Sequence, residues 1–210
     1  GFIGSNFVHY WCKKHPRDQV VVLDKLTYAG DLDNLEGIRG QITFIKGDIC
    51  NPKVVERTMR GVDIVVHFAA ESHNTRAEKR PEILSQTNVK GTRALLEGAK
   101  KVKVKKFIHI STDEIYGSIK KGYFKETDAD RCLPHLKADY PKSKAQADKL
   151  ARQYGKQGLP VIVVRPTNNF GPRQHPEKAL PRWITNLLLG EKIPVWGRGK
   201  QVRDWLYVKD

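Results

Sequence analysis

Five short runs built almost wholly of apolar residues set the tightest limit on what this chain can fold into. They are "VVVLD" at 20 to 24, "ITFIKG" at 42 to 47, "DIVVHFAA" at 63 to 70, "KFIHIST" at 106 to 112 and "PVIVVRP" at 160 to 166. Each is strand-sized and lacks the strict alternation of a strand with one wet face, so the pattern requires a parallel sheet covered on both sides. Helical patterns fall between them, at about 3 to 15, 51 to 60, 81 to 101 and 140 to 157. Repeated βα units predict an α/β fold with a doubly wound parallel sheet. After Pro166 the texture shifts to Pro, Asn, Gly and Trp. One more helix at about 177 to 190 and a strand-like "VRDWLYV" at 202 to 208 follow there. No apolar run approaches the roughly 20 residues needed to cross a bilayer, so no membrane partner is expected.

The chain opens on "GFIGSN". Gly1 and Gly4 have the spacing of the last two glycines in a G-x-x-G-x-x-G turn, which joins a first strand to a first helix and offers backbone N–H groups to a diphosphate. The strand and the first glycine are therefore expected upstream, leaving a Rossmann-type sheet that lacks its first strand. Asp24 closes the next strand, where a carboxylate accepts hydrogen bonds from ribose hydroxyls and repels a 2′-phosphate. That favours NAD over NADP, with the adjacent Lys25 working against the preference. Asp48, at the end of the third strand, is placed to meet the adenine edge, and "AAES" at 69 to 72 is small enough for a dinucleotide to lie close. Residues 1–165 are accordingly expected to form an NAD-binding domain incomplete at its N-terminus, and 166–210 part of a smaller substrate-binding lobe incomplete at its C-terminus. Alone, such a piece is expected to fold poorly and turn over little substrate.

Two further stretches carry reactive groups. "DYPKSK" sets Tyr140 and Lys144 four residues apart, on one face of a helix. An ammonium beside a phenol stabilises the phenolate, and a tyrosine drawn down from its usual pKa of about 10 becomes a base near neutrality. "STDEIYG" gathers Thr112, Asp113 and Glu114 at a strand's carboxyl end. Adjacent carboxylates repel, so one keeps a proton as an acid while the other serves as a base, an arrangement suited to eliminating water across neighbouring sugar carbons. A solvated Asp-Glu pair capping a loop is the plainer reading of the same residues.

The formal charge of +15, from 38 basic against 23 acidic residues, admits a nucleic acid, an anionic lipid or a phosphorylated small molecule as partner. Its densest run, "KKVKVKK" at 100 to 106, has no interleaved aromatics to stack on bases and reads as a solvated helix end, so no nucleic acid is expected. Three widely spaced cysteines, without a C-x-x-C pair, give neither a disulfide framework nor a zinc site and fit a reducing cytoplasm. The seven histidines form no metal-ligand spacing. His73, His109 and His175 are expected to pack or to lie on the surface.

Taken together, "GFIGSNFV", "LDKLTYAGDLDNL", "GDI", "HFAAESH", "STDEIYG", "YPKSKAQAD", "TNNFGPRQHPEK" and "VRDWLYV" resemble the nucleotide-sugar branch of the extended short-chain dehydrogenases, and within it the dTDP-glucose 4,6-dehydratases. The resemblance implies NAD-bound conversion of dTDP-glucose to a 4-keto-6-deoxy sugar nucleotide. Tyr140 would take the proton of the 4-hydroxyl, assisted by Thr112 and Lys144. Glu114 would take the C5 proton, and Asp113 would protonate the departing C6 hydroxyl. Matched position by position, Gly1, Phe2, Ile3, Gly4, Asp24, Lys25, Leu26, Thr27, Asp48, Ile49, Phe68, Ala69, Ala70, Ser72, Thr87, Tyr140, Lys144 and Asn169 would line the cofactor. Ser72, Thr112, Asn168, Lys178, Trp196 and Arg203 would face the sugar nucleotide. Arg203 has its own rationale, since a guanidinium pairs well with a diphosphate, although a salt bridge within "RDW" is the plainer reading. The segment after "AAESH" departs from the family, with Asn74 and Thr75 standing before Arg76, which leaves UDP-glucose or another nucleotide sugar open as substrate. From a different class, a dinucleotide-sensing or RNA-binding module without catalysis would suit the charge. The family implies a homodimer.

Overall fold

The computed structural model describes residues 1–72, 82–119, 121–195 and 197–210. Helix α1 (Phe2–Lys14) starts at Gly1 without a side-chain cap and ends on Lys13 and Lys14, cations placed where the helix dipole is negative. Strands β1 (Val20–Asp24) and β2 (Ile42–Lys46) pair with each other. Helix α2 (Pro52–Thr58) begins with Asn51, whose side chain accepts from the Lys53 and Val54 amides, followed by Pro52, which lacks an N–H to satisfy. Strands β3 (Ile64–His67), β4 (Lys106–Ile110) and β5 (Val161–Val164) form a parallel sheet in that order, with His67 opposite His109 and Ile110 opposite Val164. No pairing among the described residues joins β1 to β3.

The helix expected over 81 to 101 is not uniform. One α-turn (Glu82–Leu84) is followed by a seven-residue π-helical stretch (Ser85–Gly91) and then by α3 (Thr92–Val102). The widened turn brings Asn88 to 1% exposure, and Gly91 lies against Ile49, where a Cβ would stand 2.6 Å from Cδ1. A 3.6-residue period carries no trace of such an insertion. Helix α3 ends on Lys103 in the left-handed conformation (φ 57°). Helix α4 (Asp139–Lys156) covers the same sheet, and the core beneath holds Val55, Met59, Leu95, Leu96, Ala99, Phe107, Leu150 and Ala151.

The chain groups into two compact units. The larger is Val21–Lys25 with Phe44–Pro166; the other is Gly1–Val20, Leu26–Thr43 and Thr167–Asp210. The second holds α1, the parallel pair β6 (Asn168–Phe170) and β7 (Trp205–Tyr207), and helix α5 (Ala179–Leu188). Residues 167–210 group there with α1 and 26–43. One reason is Asn6 of α1, which is buried and donates to the Pro172 carbonyl at 2.9 Å. No helix among the described residues is long and apolar enough to cross a membrane.

Helix α3 packs on α2 through Gly98, where an added Cβ would lie 2.7 Å from Val55 Cγ1 and 3.0 Å from Met59 Sδ. Val55 is branched at Cβ and 1% exposed, so it has nowhere to turn. Gly98→Leu is expected to lower stability by about 1–3 kcal/mol, read as a reduced urea midpoint with an unchanged slope.

Candidate active site

Helix α4 carries Tyr140, Lys144 and Asp148 at successive intervals of four residues, one above another on a single face. Lys144 is 4% exposed and its Nζ donates to the Ile110 carbonyl, the last of β4, at 2.7 Å. Loss of hydration pulls this amine down from its ordinary 10.5 to about 8, with the Asp148 charge opposing the fall. Beneath it in the sheet lie two buried histidines, His67 and His109, with ring centroids 5.3 Å apart. Burial first, and then the Lys144 charge, hold His109 down at about 3, so it is neutral wherever an enzyme works. Burial likewise holds His67 well below its usual value. His109 therefore packs in the core, while His175 lies against the Tyr28 ring in the other unit. His73 lies outside the described residues.

Three residues beyond Ile110, the chain turns into a short 3-10 helix (Asp113–Tyr116). Thr112 caps it: its Oγ1 accepts from the Glu114 amide at 3.3 Å and donates to Asp113 Oδ1 at 3.3 Å. The Asp113 amide donates to the Pro166 carbonyl at 3.1 Å, which pins the turn to the carboxyl end of β5. Asp113 is half-buried and Glu114 exposed, so the two adjacent acids sit in unequal surroundings. Lys144 on the Ile110 carbonyl and the Thr112–Glu114 turn two residues later bring the helix and the acids to the same strand end.

Several groups that hold this arrangement carry no motif. Asn88, in the π-helical stretch, accepts from the Glu71 amide at 2.8 Å and donates to the Glu71 carbonyl at 3.0 Å and to Ser143 Oγ at 2.9 Å. Ser143 Oγ in turn donates to the Tyr140 carbonyl at 2.7 Å. Asp148 is met by Arg165 and Arg152. The signal for both was a polar residue on the apolar stripe of a helix.

The residues expected around a dinucleotide divide between the units. In the larger, Asp24 ends β1 and its carbonyl accepts from the Gly47 amide at 3.0 Å, which sets the ends of β1 and β2 side by side. Lys25 Nζ reaches Asp48 Oδ2 at 2.6 Å, and Asp48 Oδ1 accepts from the Cys50 amide at 2.8 Å. Burial acts to raise the Asp48 pKa, but Lys25 and the Cys50 amide outweigh it. Asp48 is thus engaged by the protein on both oxygens. Ile49 is buried in the apolar core and packs on Gly91. Phe68, Ala70, Ser72 and Thr87 are half-buried and Ala69 is exposed. In the other unit, Gly1, Phe2, Ile3 and Gly4 form the start of α1, Leu26 takes a left-handed φ of 55°, and the Thr27 carbonyl accepts from Gly30. There Asn168 and Asn169 lie on β6, Lys178 precedes α5, and exposed Arg203 donates to the Val202 carbonyl at 2.8 Å instead of bridging within "RDW". Trp196, and with it the 73–81 segment that includes Asn74, Thr75 and Arg76, lies outside the described residues. No cluster of metal ligands occurs among the described residues.

The pattern of the NAD dependent epimerase/dehydratase family matches residues 1–210. A low-salt glycan biosynthesis protein of Haloferax volcanii is 45% identical over 213 residues, covering 100% of this chain and 67% of the relative. A dTDP-glucose 4,6-dehydratase of Streptomyces antibioticus is 44% identical over 216 residues, covering 100% of this chain and 63% of the relative. Among solved structures, the Streptomyces venezuelae dTDP-glucose 4,6-dehydratase DesIV, a double mutant with NAD bound, superposes with a TM-score of 0.92 at 42% identity, over 100% of this chain and 66% of that one. A UDP-glucose 4-epimerase of Thermotoga maritima superposes at 0.89 with 30% identity, over 100% of this chain and 67% of that one. The chain thus spans about two thirds of the length of its relatives.

The buried amine makes a signed prediction. Because Lys144 has a lower pKa folded than unfolded, its burial penalty is full below pH 8 and fades as pH rises toward 10.5, where the unfolded chain binds more protons than the folded one. The stability of the wild type relative to Lys144→Met is expected to rise over that window by about 3 kcal/mol. Paired urea titrations at either end of the window check it, and a constant difference contradicts it.

Proposed function

The chain belongs to the NAD-dependent epimerase/dehydratase family, and on that premise we propose that it carries the reacting site of a nucleotide-sugar 4,6-dehydratase whose substrate is dTDP-glucose. The observation that carries this reading is the acid pair. A 4-epimerase needs a base and a hydride carrier, whereas Asp113 and Glu114, held at the strand end that also receives Lys144, supply the acid and the base of an elimination.

The residues present fit a bound dinucleotide. Asp24 offers a carboxylate to a ribose at the end of β1, and short side chains at Ala69 and Ala70 leave the end of β3 accessible. Lys25 is paired with Asp48 at 2.6 Å, so its charge does not offset the repulsion Asp24 would exert on a 2′-phosphate. NAD is therefore the cofactor that suits the end of β1, with Asp24 as its proposed ribose contact. Bound, it would supply the hydride acceptor that C4 needs and the donor that C6 needs.

Tyr140 takes the 4-hydroxyl proton, and the Lys144 ammonium stabilises the phenolate that makes this possible. A ketone at C4 acidifies the C5–H bond. Glu114 removes the C5 proton while Asp113 gives its own proton to the 6-hydroxyl, which leaves as water. Glu114 then returns its proton to C5 as C6 is reduced. Tyr140 ends with one extra proton and Asp113 with one fewer, and solvent restores both. The sugar has lost one water and the cofactor is unchanged. Arg203, Lys178 and Asn168 are the proposed contacts of the nucleotide diphosphate, since two carry the charge it needs.

The test gives the full-length protein a panel of nucleotide hexoses with NAD and looks by mass for the loss of one water. Conversion of dTDP-glucose is expected; conversion of a UDP-sugar instead would overturn the substrate assignment. Glu114→Gln is expected to transfer hydride from C4 yet fail to release water, and full dehydration by that variant would remove Glu114 from the mechanism.

A further inference from the structure

Asp148 has no exposed surface, and both of its oxygens accept from Arg165, Nε to Oδ2 at 2.8 Å and Nη2 to Oδ1 at 2.9 Å. Arg152 adds Nε to Oδ1 at 2.8 Å and is itself clasped by both oxygens of Asp130, at 2.9 and 2.8 Å. Arg165 keeps its remaining nitrogen, Nη1, for the phenol oxygen of Tyr116 at 2.7 Å and the Glu126 carbonyl at 3.0 Å. Its Cζ lies 5.4 Å from the centre of the Tyr116 ring, on which Phe124 also stacks at 5.3 Å. Tyr116 closes the 3-10 turn that Asp113 opens, and Pro166, next to Arg165 in the chain, accepts the Asp113 amide. Two consecutive residues thus grip the turn at both ends.

We propose that Arg165 is a positioning residue for the acid and base pair: braced by Asp148, it fixes Tyr116 and hence the direction in which Asp113 and Glu114 meet the sugar. This rests on the dehydratase reading above. The planar fork of a guanidinium serves Asp148, Tyr116 and Glu126 at once, which a lysine cannot do. Tyr140 and Lys144 have moorings of their own, in the Ile110 carbonyl and the Asn88–Ser143 pair. Slackening the turn therefore separates the two halves of the reaction, impairing elimination while leaving oxidation at C4 intact.

Tyr116→Phe removes one hydroxyl, and Arg165→Lys removes the fork. In the full-length protein both are expected to slow loss of water by roughly tenfold to a hundredfold. Single-turnover oxidation, read as reduced-nicotinamide absorbance, should stay within about twofold of the wild type, so that reduced cofactor accumulates. Arg152→Lys disturbs Asp148 without touching Tyr116 and is expected to leave the partition as in the wild type. Equal slowing of both halves by Tyr116→Phe, no slowing, or the same partition in Arg152→Lys would overturn the proposal. Amide exchange gives a readout without substrate: Tyr116→Phe is expected to speed exchange at Asp113 and Gly117, leaving α4 protected, and unchanged exchange in the turn overturns the proposal whatever is turned over. A wild type that dehydrates no nucleotide hexose, with the turn loosened in the variant, counts against the function and not against the brace.

Discussion

Taking the carboxylate of Asp148 out of water costs several kcal/mol, and that loss is offset only because two guanidiniums meet it in good geometry. Burial alone would raise its pKa; Arg165 and then Arg152 outweigh burial and hold it below the ordinary carboxylate range. A well-packed apolar trio of similar volume would stabilise the unit as well or better. What the ions add is register. Only one placement of α4 along the sheet lets Asp148 reach an arginine that leaves the end of β5, and that placement also fixes where Lys144 and Tyr140 emerge. The helix cannot slide by a turn without stranding a buried charge, which costs about 3–5 kcal/mol.

The electrostatics one turn earlier have the opposite character. Among the described residues Lys144 donates to a backbone carbonyl, Asp148 acts on it through its charge, and the His67 and His109 imidazoles in the sheet are kept neutral by burial. A neutral floor matters, because a protonated His109 would repel the ammonium and lower its pKa further. Neither ring nitrogen of His109 meets a hydrogen-bonding group among the described residues, a cost of about 1–3 kcal/mol. Burial of this amine is thus unfavourable for solvation, and under the proposed function its ammonium form is the one that would stabilise a phenolate.

Much of this was legible because parallel strands are written as near-continuous apolar runs, and β1 through β5 each fall inside one; the expected cover on both faces is not complete, since Val21, Ile64, Ile162 and Val164 are exposed. The Y-x-x-x-K and "STDEIYG" groups were legible because helical spacing and strand-end placement can be counted along the chain. Asn88, Asp148 and Arg165 were not, since each acts through a residue 17 to 55 positions away. Their sign in the sequence is only a polar side chain on a stripe otherwise apolar. The π-helical stretch was invisible for another reason: one extra residue per turn leaves composition untouched and shifts the phase of the pattern too briefly to register. The contact of Asn6 with Pro172, 166 positions apart, is likewise one no local pattern encodes.

A fold shared by proteins named as epimerases and as dehydratases cannot by itself choose between their reactions, so the choice rests on side chains. Both reactions begin with a base at the 4-hydroxyl and a hydride leaving C4. They part when C5 must lose a proton and C6 its oxygen, which requires an acid and a base on a rigid mount. A 3-10 turn of four residues is a poor mount alone, because its hydrogen bonds are few and strained relative to an α-helix. Capped by Thr112, pinned through Asp113 to Pro166 and gripped through Tyr116 by Arg165, it becomes part of the sheet. On that turn Asp113 is half-buried and Glu114 exposed, and under the proposed function a difference in surroundings is what would separate a proton donor from a proton acceptor when both are plain carboxylic acids.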